Sequence, residues 1–293
     1  MRKGFFCWCA TIVVMTAMPS FAGGIFVELD SSQPWHITQK SDYVVESDVD
    51  AQDGNFSVGR TALSIKKEYK YPNGLPVDLT FSIAQYYLHD ETTVDLPASL
   101  QSKGITLGTK MPMPFVTDDR FFIGLDTGAY FQTAKEHNFD SSAFRSKNRI
   151  YGIFKENDQF VFVAGGMYQT DYEDMALMPF VGFQYILNDQ WSFHFLSDEP
   201  SVNYRLNERA TVKWQFGAYR DEFEVVSGAR KGEIVKITDL HTALGFDYEI
   251  REGITFQVSA GWAFNRSYEY LNDGGKVVPD NNFFFGYVFK MFF

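Results

Sequence analysis

The sequence predicts an all-β chain, an antiparallel transmembrane β-barrel of fourteen strands, with twelve strands as the alternative. Three observations carry this. Large apolar residues recur at every second position over segments of about ten residues, the length a tilted strand needs to cross an outer membrane. The links between segments alternate between tight and long, the pattern of a barrel with short turns at one end and loops at the other. The chain also opens with a secretory-leader pattern, and beyond that leader it has no cysteine.

Composition removes the competing classes. The 293 residues carry 26 Lys+Arg against 37 Asp+Glu, a formal charge of −11. A nucleic-acid binder needs a basic face, so that class is set aside. Aromatic residues make up 17%, including 30 Phe and 16 Tyr, which excludes intrinsic disorder. No second long apolar run follows the leader, which excludes a helical membrane bundle.

The leader comes first. Arg2 and Lys3 supply a positive start, Phe5 to Met18 is uncharged, and Pro19-Ser20-Phe21-Ala22 places small residues before a cut at Gly23. The expected division is therefore a signal peptide over 1–22 and a barrel over 23–293. Cys7 and Cys9 both fall in the leader, so the mature chain is expected to have no disulfide and no thiolate chemistry.

The strands follow in order. The stretch 55–70 is extended and needs a partner within 24–46 to keep the count even. In 76–88, Val77, Leu79, Phe81 and Ile83 alternate with Asp78, Thr80, Ser82 and Ala84. Segments 104–111 and 120–133 come next, and in the latter Ile123, Leu125 and Ala129 alternate with Gly124, Asp126 and Gly128. Then come 147–156, 159–170, 177–187, the short pair 191–197 and 201–206, and 210–220 with Val212, Trp214 and Phe216 on one face. In 237–250, Leu244, Phe246, Tyr248 and Ile250 oppose His241, Ala243, Gly245, Asp247 and Glu249. Segment 254–266 precedes the last strand, 283–293, where Phe283, Phe285, Tyr287, Phe289, Met291 and Phe293 form an unbroken apolar row.

The second face of these strands is small or polar with scattered charges of both signs. A soluble sandwich would show many Lys and Glu there, whereas a crowded barrel interior favours small polar residues. Tight links are expected at 157–158, 188–190, 207–209 and 251–253, and long ones at about 89–103, 134–146, 221–236 and 268–282. A chain that ends at the short-turn side has its C-terminus in the periplasm.

Two resemblances come from motifs. A terminal Phe293 preceded by Met291, Phe289, Tyr287 and Phe285 resembles the last strand of bacterial outer-membrane proteins, which implies recognition by the barrel-assembly machinery. The run from Pro179 to Ser192, reading Pro-Phe-Val-Gly-Phe-Gln-Tyr-Ile-Leu-Asn-Asp-Gln-Trp-Ser, is followed by Tyr204-Arg-Leu-Asn-Glu-Arg209. The two together are similar to a family of proteobacterial outer-membrane β-barrels defined only as a domain of unknown function. The resemblance implies fold and location and assigns no catalytic residues.

Candidate chemistry is sparse. His36, His89, His137, His194 and His241 are not spaced as metal ligands, and no nucleophile elbow or phosphate loop occurs. No metal or other cofactor is expected. Ser192 and His194 stand two apart, as in some barrel lipid hydrolases, but two polar lumen residues in a hydrogen-bond network is the preferred reading. The acidic stretch Asp42, Glu46, Asp48, Asp50 and Asp53, and the trio Asp171, Glu173 and Asp174, read as solvated surface. Trp191, Trp214, Tyr185 and Tyr248 read as an interfacial girdle. Asp126, His194, Arg205, Lys213, His241, Asp247 and Glu249 are expected to face the lumen, either lining a pore or pairing to plug it. The expected object is a monomeric barrel in the outer-membrane bilayer. A passive channel for small solutes is the first functional reading, and a structural or surface-interaction barrel the second. A lipid-modifying enzyme stands third.

Overall fold

The structure is a computed structural model and describes residues 35–293 apart from 50–52, 71–75, 117, 135–140, 171–176, 197–198 and 273–274. The leader, and Asp50, Asp171, Glu173 and Asp174 of the acidic stretches, lie outside the described residues. Fourteen strands form the wall. They are β1 (Trp35–Asp48), β2 (Asn55–Lys70), β3 (Pro76–Asp90), β4 (Ser99–Pro112), β5 (Phe121–Ala134), β6 (Phe144–Lys155), β7 (Phe160–Gln169), β8 (Leu177–Ile186), β9 (Trp191–His194), β10 (Ser201–Arg205), β11 (Ala210–Val225), β12 (Ile234–Arg251), β13 (Ile254–Tyr270) and β15 (Asn282–Phe292). A two-residue strand, β14 (Lys276–Val277), rides on β13 in the last long loop. No α-helix occurs among the described residues.

Each wall strand is antiparallel to its neighbour in the chain, and β15 pairs with β1 to close the cylinder. Closure matches Tyr43 with Phe285 and His36 with Phe292, and Phe293 exchanges backbone hydrogen bonds with Trp35 at 2.9 and 3.0 Å. Closing the sheet satisfies backbone groups that hydrocarbon could not. The even count arises as expected, with β1 as the partner of 55–70.

The short turns share one device. Asn157, Asn188 and Asn207 each place the side-chain oxygen where two backbone N–H groups donate to it, those of residues i+2 and i+3, at 2.8–3.0 Å. This Asx geometry mimics a backbone turn and explains why Asn stands at these three tight links. The β4–β5 turn uses an ion pair instead. Arg120 donates side-chain and backbone hydrogen bonds to Asp118, which hold that exposed carboxyl down at about 2.

The outward face is apolar as predicted. Phe81, Leu125, Ile150, Val181, Leu244, Val258 and Phe285 are exposed along it, and Tyr185, Trp191, Trp214 and Tyr248 are exposed toward the short-turn end. Inside, rings lie over glycines. A Cβ on Gly104 would enter the Tyr130 ring, whose hydroxyl contacts Thr106 Oγ1 at 2.5 Å. Gly104→Ala is expected to destabilise the barrel by about 1–3 kcal/mol through overpacking, read as a lower urea midpoint for the detergent-folded protein.

The structure corrects the sequence reading in the long links. Half of the stretch 221–236 is strand, because β11 runs to Val225 and β12 begins at Ile234. The upper part of β11 stays paired with β12 but bends inward toward β5. Val212 and Trp214 face outward, but Glu222, with the same parity, is wholly buried. Glu224 and Val225 then pair in parallel with Thr133 and Ala134 of β5, on the opposite side of the β6–β10 wall segment. This contact divides the long-loop half of the barrel into a large lobe and a small lobe.

Candidate functional site

The lumen is built in three layers. The short-turn half is a vestibule of buried and half-buried charges. Lys66 bridges Glu68 at 2.8 Å and Asp78 at 3.2 Å, Arg149 meets Asp126 at 3.0 Å, and Lys213 pairs with Asp247 on the adjoining strand. Lys213 also donates to Gln257 at 3.3 Å, which in turn donates to Gln215 at 2.8 Å. Alternation puts each of these on the inner face, and crowding then drives opposite charges together.

Above the vestibule lies a buried ionic layer. Asp42 accepts from the Tyr219 hydroxyl at 2.6 Å and lies 3.4 Å from Lys40. Arg60 stacks its guanidinium 4.1 Å from the centre of the Tyr219 ring. Asp221 accepts from Gln132 at 3.0 Å, Lys147 at 3.1 Å and Tyr86 at 3.3 Å. Asp239 accepts from Tyr268 at 2.8 Å and faces Arg266 at 3.6 Å. The tip of the β9–β10 hairpin folds inward into this layer. Glu199 pairs with Lys40 of β1 and lies 3.8 Å from His241 of β12. His241 itself is 1% exposed, stacked on Phe284 at 4.6 Å and tilted against Tyr219 at 5.0 Å.

The third layer, at the long-loop end, is a hydrophobic core. Phe56, Leu88, Leu100, Phe223, Val235, Tyr268 and Phe284 meet Val94 and Leu96 of the β3–β4 loop, all buried.

Six of the seven lumen candidates lie on the inner face of their strands and are partly or wholly buried. Asp126, Lys213 and Asp247 are in ion pairs, His194 bonds Ser192, His241 is stacked in the ionic layer, and Glu249 is half-buried near the short-turn rim. Arg205 has the inward parity but sits exposed at the rim. The terminal row Phe285, Tyr287, Phe289, Met291 and Phe293 faces outward between β1 and β13. Ser192 Oγ and His194 Nε2 do meet, at 3.1 Å. Among the described residues, the charges acting on His194 are Lys213 and Lys290, both cations.

Sequence reasoning missed Asp42, Arg60, Lys147, Glu199, Asp221, Asp239 and Arg266. The sequence reading of Asp42 as a solvated surface acid is corrected by the structure, since it is buried on β1. Its parity with Lys40 was the available signal. Asp48 and Asp53 of the same stretch are exposed, as expected.

Comparison with known proteins places the chain among barrels. Residues 122–281 match the family model described as Domain of unknown function (DUF6268). No curated protein matches the sequence. Among solved structures, the COG4313 outer membrane channel from Pseudomonas putida F1 superposes with a TM-score of 0.50 at 9% identity, covering 93% of this chain and 100% of that one. The translocator domain of the autotransporter NalP from Neisseria meningitidis gives 0.41 at 12% identity, covering 99% and 96%. The KdgM porin gives 0.33 at 10% identity, covering 88% and 99%.

Proposed function

The chain belongs to the DUF6268 family, and within it we propose that this member is a monomeric barrel of the Gram-negative outer membrane, a small-solute passage closed at rest by its apolar upper layer. The observation that carries this reading is the stacking of the layers, a charge-lined vestibule and a buried ionic layer beneath a packed, largely apolar upper layer. A constriction of this kind excludes ions by dewetting and opens when it widens or becomes polar. Export through a leader cut near Gly23 and insertion by the barrel-assembly machinery through the Phe293 row complete the reading. The expected N-terminus of the membrane-extracted protein is near Gly23, and Edman sequencing checks it.

Planar-bilayer recording tests the passage. The wild-type barrel is expected to be silent at rest, and Leu100→Ser with Phe223→Ser to give discrete conductance steps. Silence in both, with the barrel folded, would leave the structural barrel as the better account. In the open variant the vestibule pair sets selectivity. Asp247→Asn uncovers the Lys213 charge and shifts the reversal potential in a salt gradient toward anions, while Lys213→Gln uncovers Asp247 and shifts it toward cations.

A further inference from the structure

The outward face of β2 carries a lysine where its neighbours are apolar. Thr61, Leu63, Ile65, Lys67 and Tyr69 share that face, and Leu63 and Tyr69 are exposed on it. Lys66 and Glu68 have the opposite parity and bridge each other in the vestibule. Lys67 is matched to Trp35 of β1 on one side and to Leu79 of β3 on the other. One step farther into the wall, Ile65 lies between Ile37 and Phe81. The medium facing these residues is lipid. An ammonium set into such a surface is costly unless its stem carries it to the headgroup level.

Two rings hold the charge. The Lys67 Nζ lies 4.5 Å from the centre of the Trp35 ring and 4.8 Å from that of Tyr69. Among the described residues, no carboxylate pairs with Lys67, and neither the Trp35 indole N–H nor the Tyr69 hydroxyl has an acceptor. Rings steady a cation without neutralising it. Tyr69 stands one residue from the end of β2, at the short-turn end where Tyr185, Trp191, Trp214 and Tyr248 are also exposed. An aromatic belt of this kind marks the level of the lipid headgroups.

An ammonium and two ring donors on one lipid-facing spot suit a phosphodiester, whose oxygens accept all three. The apolar rows beside them, Ile37, Ile65, Leu79 and Phe81, suit acyl chains, and a water-borne phosphate would gain nothing from those. We infer that Lys67, Trp35 and Tyr69 form a binding site for the phosphate of a phospholipid in the leaflet at the short-turn end. The site adjoins the closing seam, because Trp35 stacks on Phe293 at 6.5 Å and exchanges backbone hydrogen bonds with it. A phospholipid held there ties β2 and β1 together beside the end of β15, so occupancy strengthens closure. The inference rests on the membrane reading of the barrel but not on solute passage through it, so a silent bilayer recording leaves it standing.

The test uses the full mature barrel, refolded in nonionic detergent and titrated with dioleoylphosphatidylglycerol, dioleoylglycerol or inorganic phosphate. Native mass spectrometry reads what stays bound. Wild type is expected to retain one phosphatidylglycerol at a collision energy that strips dioleoylglycerol. Lys67→Gln should lower that retention several-fold, and Lys67→Arg should keep it. Lys103→Gln removes another lysine, matched to Ile83 on the outward face of β4, and should leave retention unchanged. The melting midpoint of the heat-modifiable compact band should rise with phosphatidylglycerol in wild type but not in Lys67→Gln, and the band itself shows that each variant is folded. Equal retention by wild type and Lys67→Gln would overturn the site. Retention of dioleoylglycerol equal to that of phosphatidylglycerol would overturn the assignment of the phosphate, and binding of inorganic phosphate as tight as that of the phospholipid would overturn the lipid. A midpoint raised equally in both barrels would overturn the link to the seam. Failure of the wild-type barrel to insert into phosphatidylcholine vesicles would overturn the membrane reading along with it.

Discussion

Asp221→Ala is expected to lower the unfolding free energy of the detergent-folded barrel by about 3–5 kcal/mol, the usual cost of removing one partner from a buried ion pair. The carboxylate accepts from Lys147, Gln132 and Tyr86, which come from β6, β5 and β3. One substitution therefore loosens three strands at the level where β11 enters the lumen. The measurement is a urea titration followed by the heat-modifiable compact band. Asp221→Asn keeps the shape and part of the hydrogen bonding and should fall between alanine and wild type. An alanine variant with the wild-type midpoint would mean that the ionic layer contributes nothing net and that the apolar layer alone holds the long-loop half together.

Tyr287→Arg is the second large effect. Tyr287 lies mid-way along β15, faces outward, and is matched to Ser41 on one side and Val258 on the other. A guanidinium at the hydrocarbon midplane costs about 2–4 kcal/mol. Because β15 makes the closing seam, the loss falls on barrel closure, and the expected readout is exported but uninserted protein that lacks the compact band. Lys290→Arg on the inner face of the same strand is the control and should insert normally. Equal insertion of Tyr287→Arg and wild type would count against a lipid-facing terminal row.

The wall was legible because period two is a local signal. Each segment of about ten residues declares its two faces, and Asn at the tight links declares the turns. The site was less legible, for a physical reason. Whether inward charges line water or neutralise each other depends on which strands lie across the lumen, and pairings such as Asp42 with Tyr219 join residues far apart in the chain. The expected strand ends at 220 and leaves Asp221 in a long link, since the large apolar row thins after Phe216; it thins because β11 turns into the lumen, where both faces are covered. A strand buried on both faces loses the alternation by which a strand is recognised.

The β1–β15 seam also sets the order of assembly. β12 and β13 form a long hairpin joined by Glu252-Gly253, with Gly253 at φ +75°, and local contacts of that kind form early. The seam joins Ile37 to Met291 and Val44 to Phe284, the opposite ends of the described chain. Nothing earlier in the sequence can substitute for that contact, so the cylinder closes only after the last strand has emerged. Until then the nascent sheet carries two unpaired edges beside an apolar face, a state prone to aggregation unless another protein shields it. A chain truncated before Asn282 would remain in that state and would be cleared by periplasmic proteases rather than accumulate as a smaller barrel.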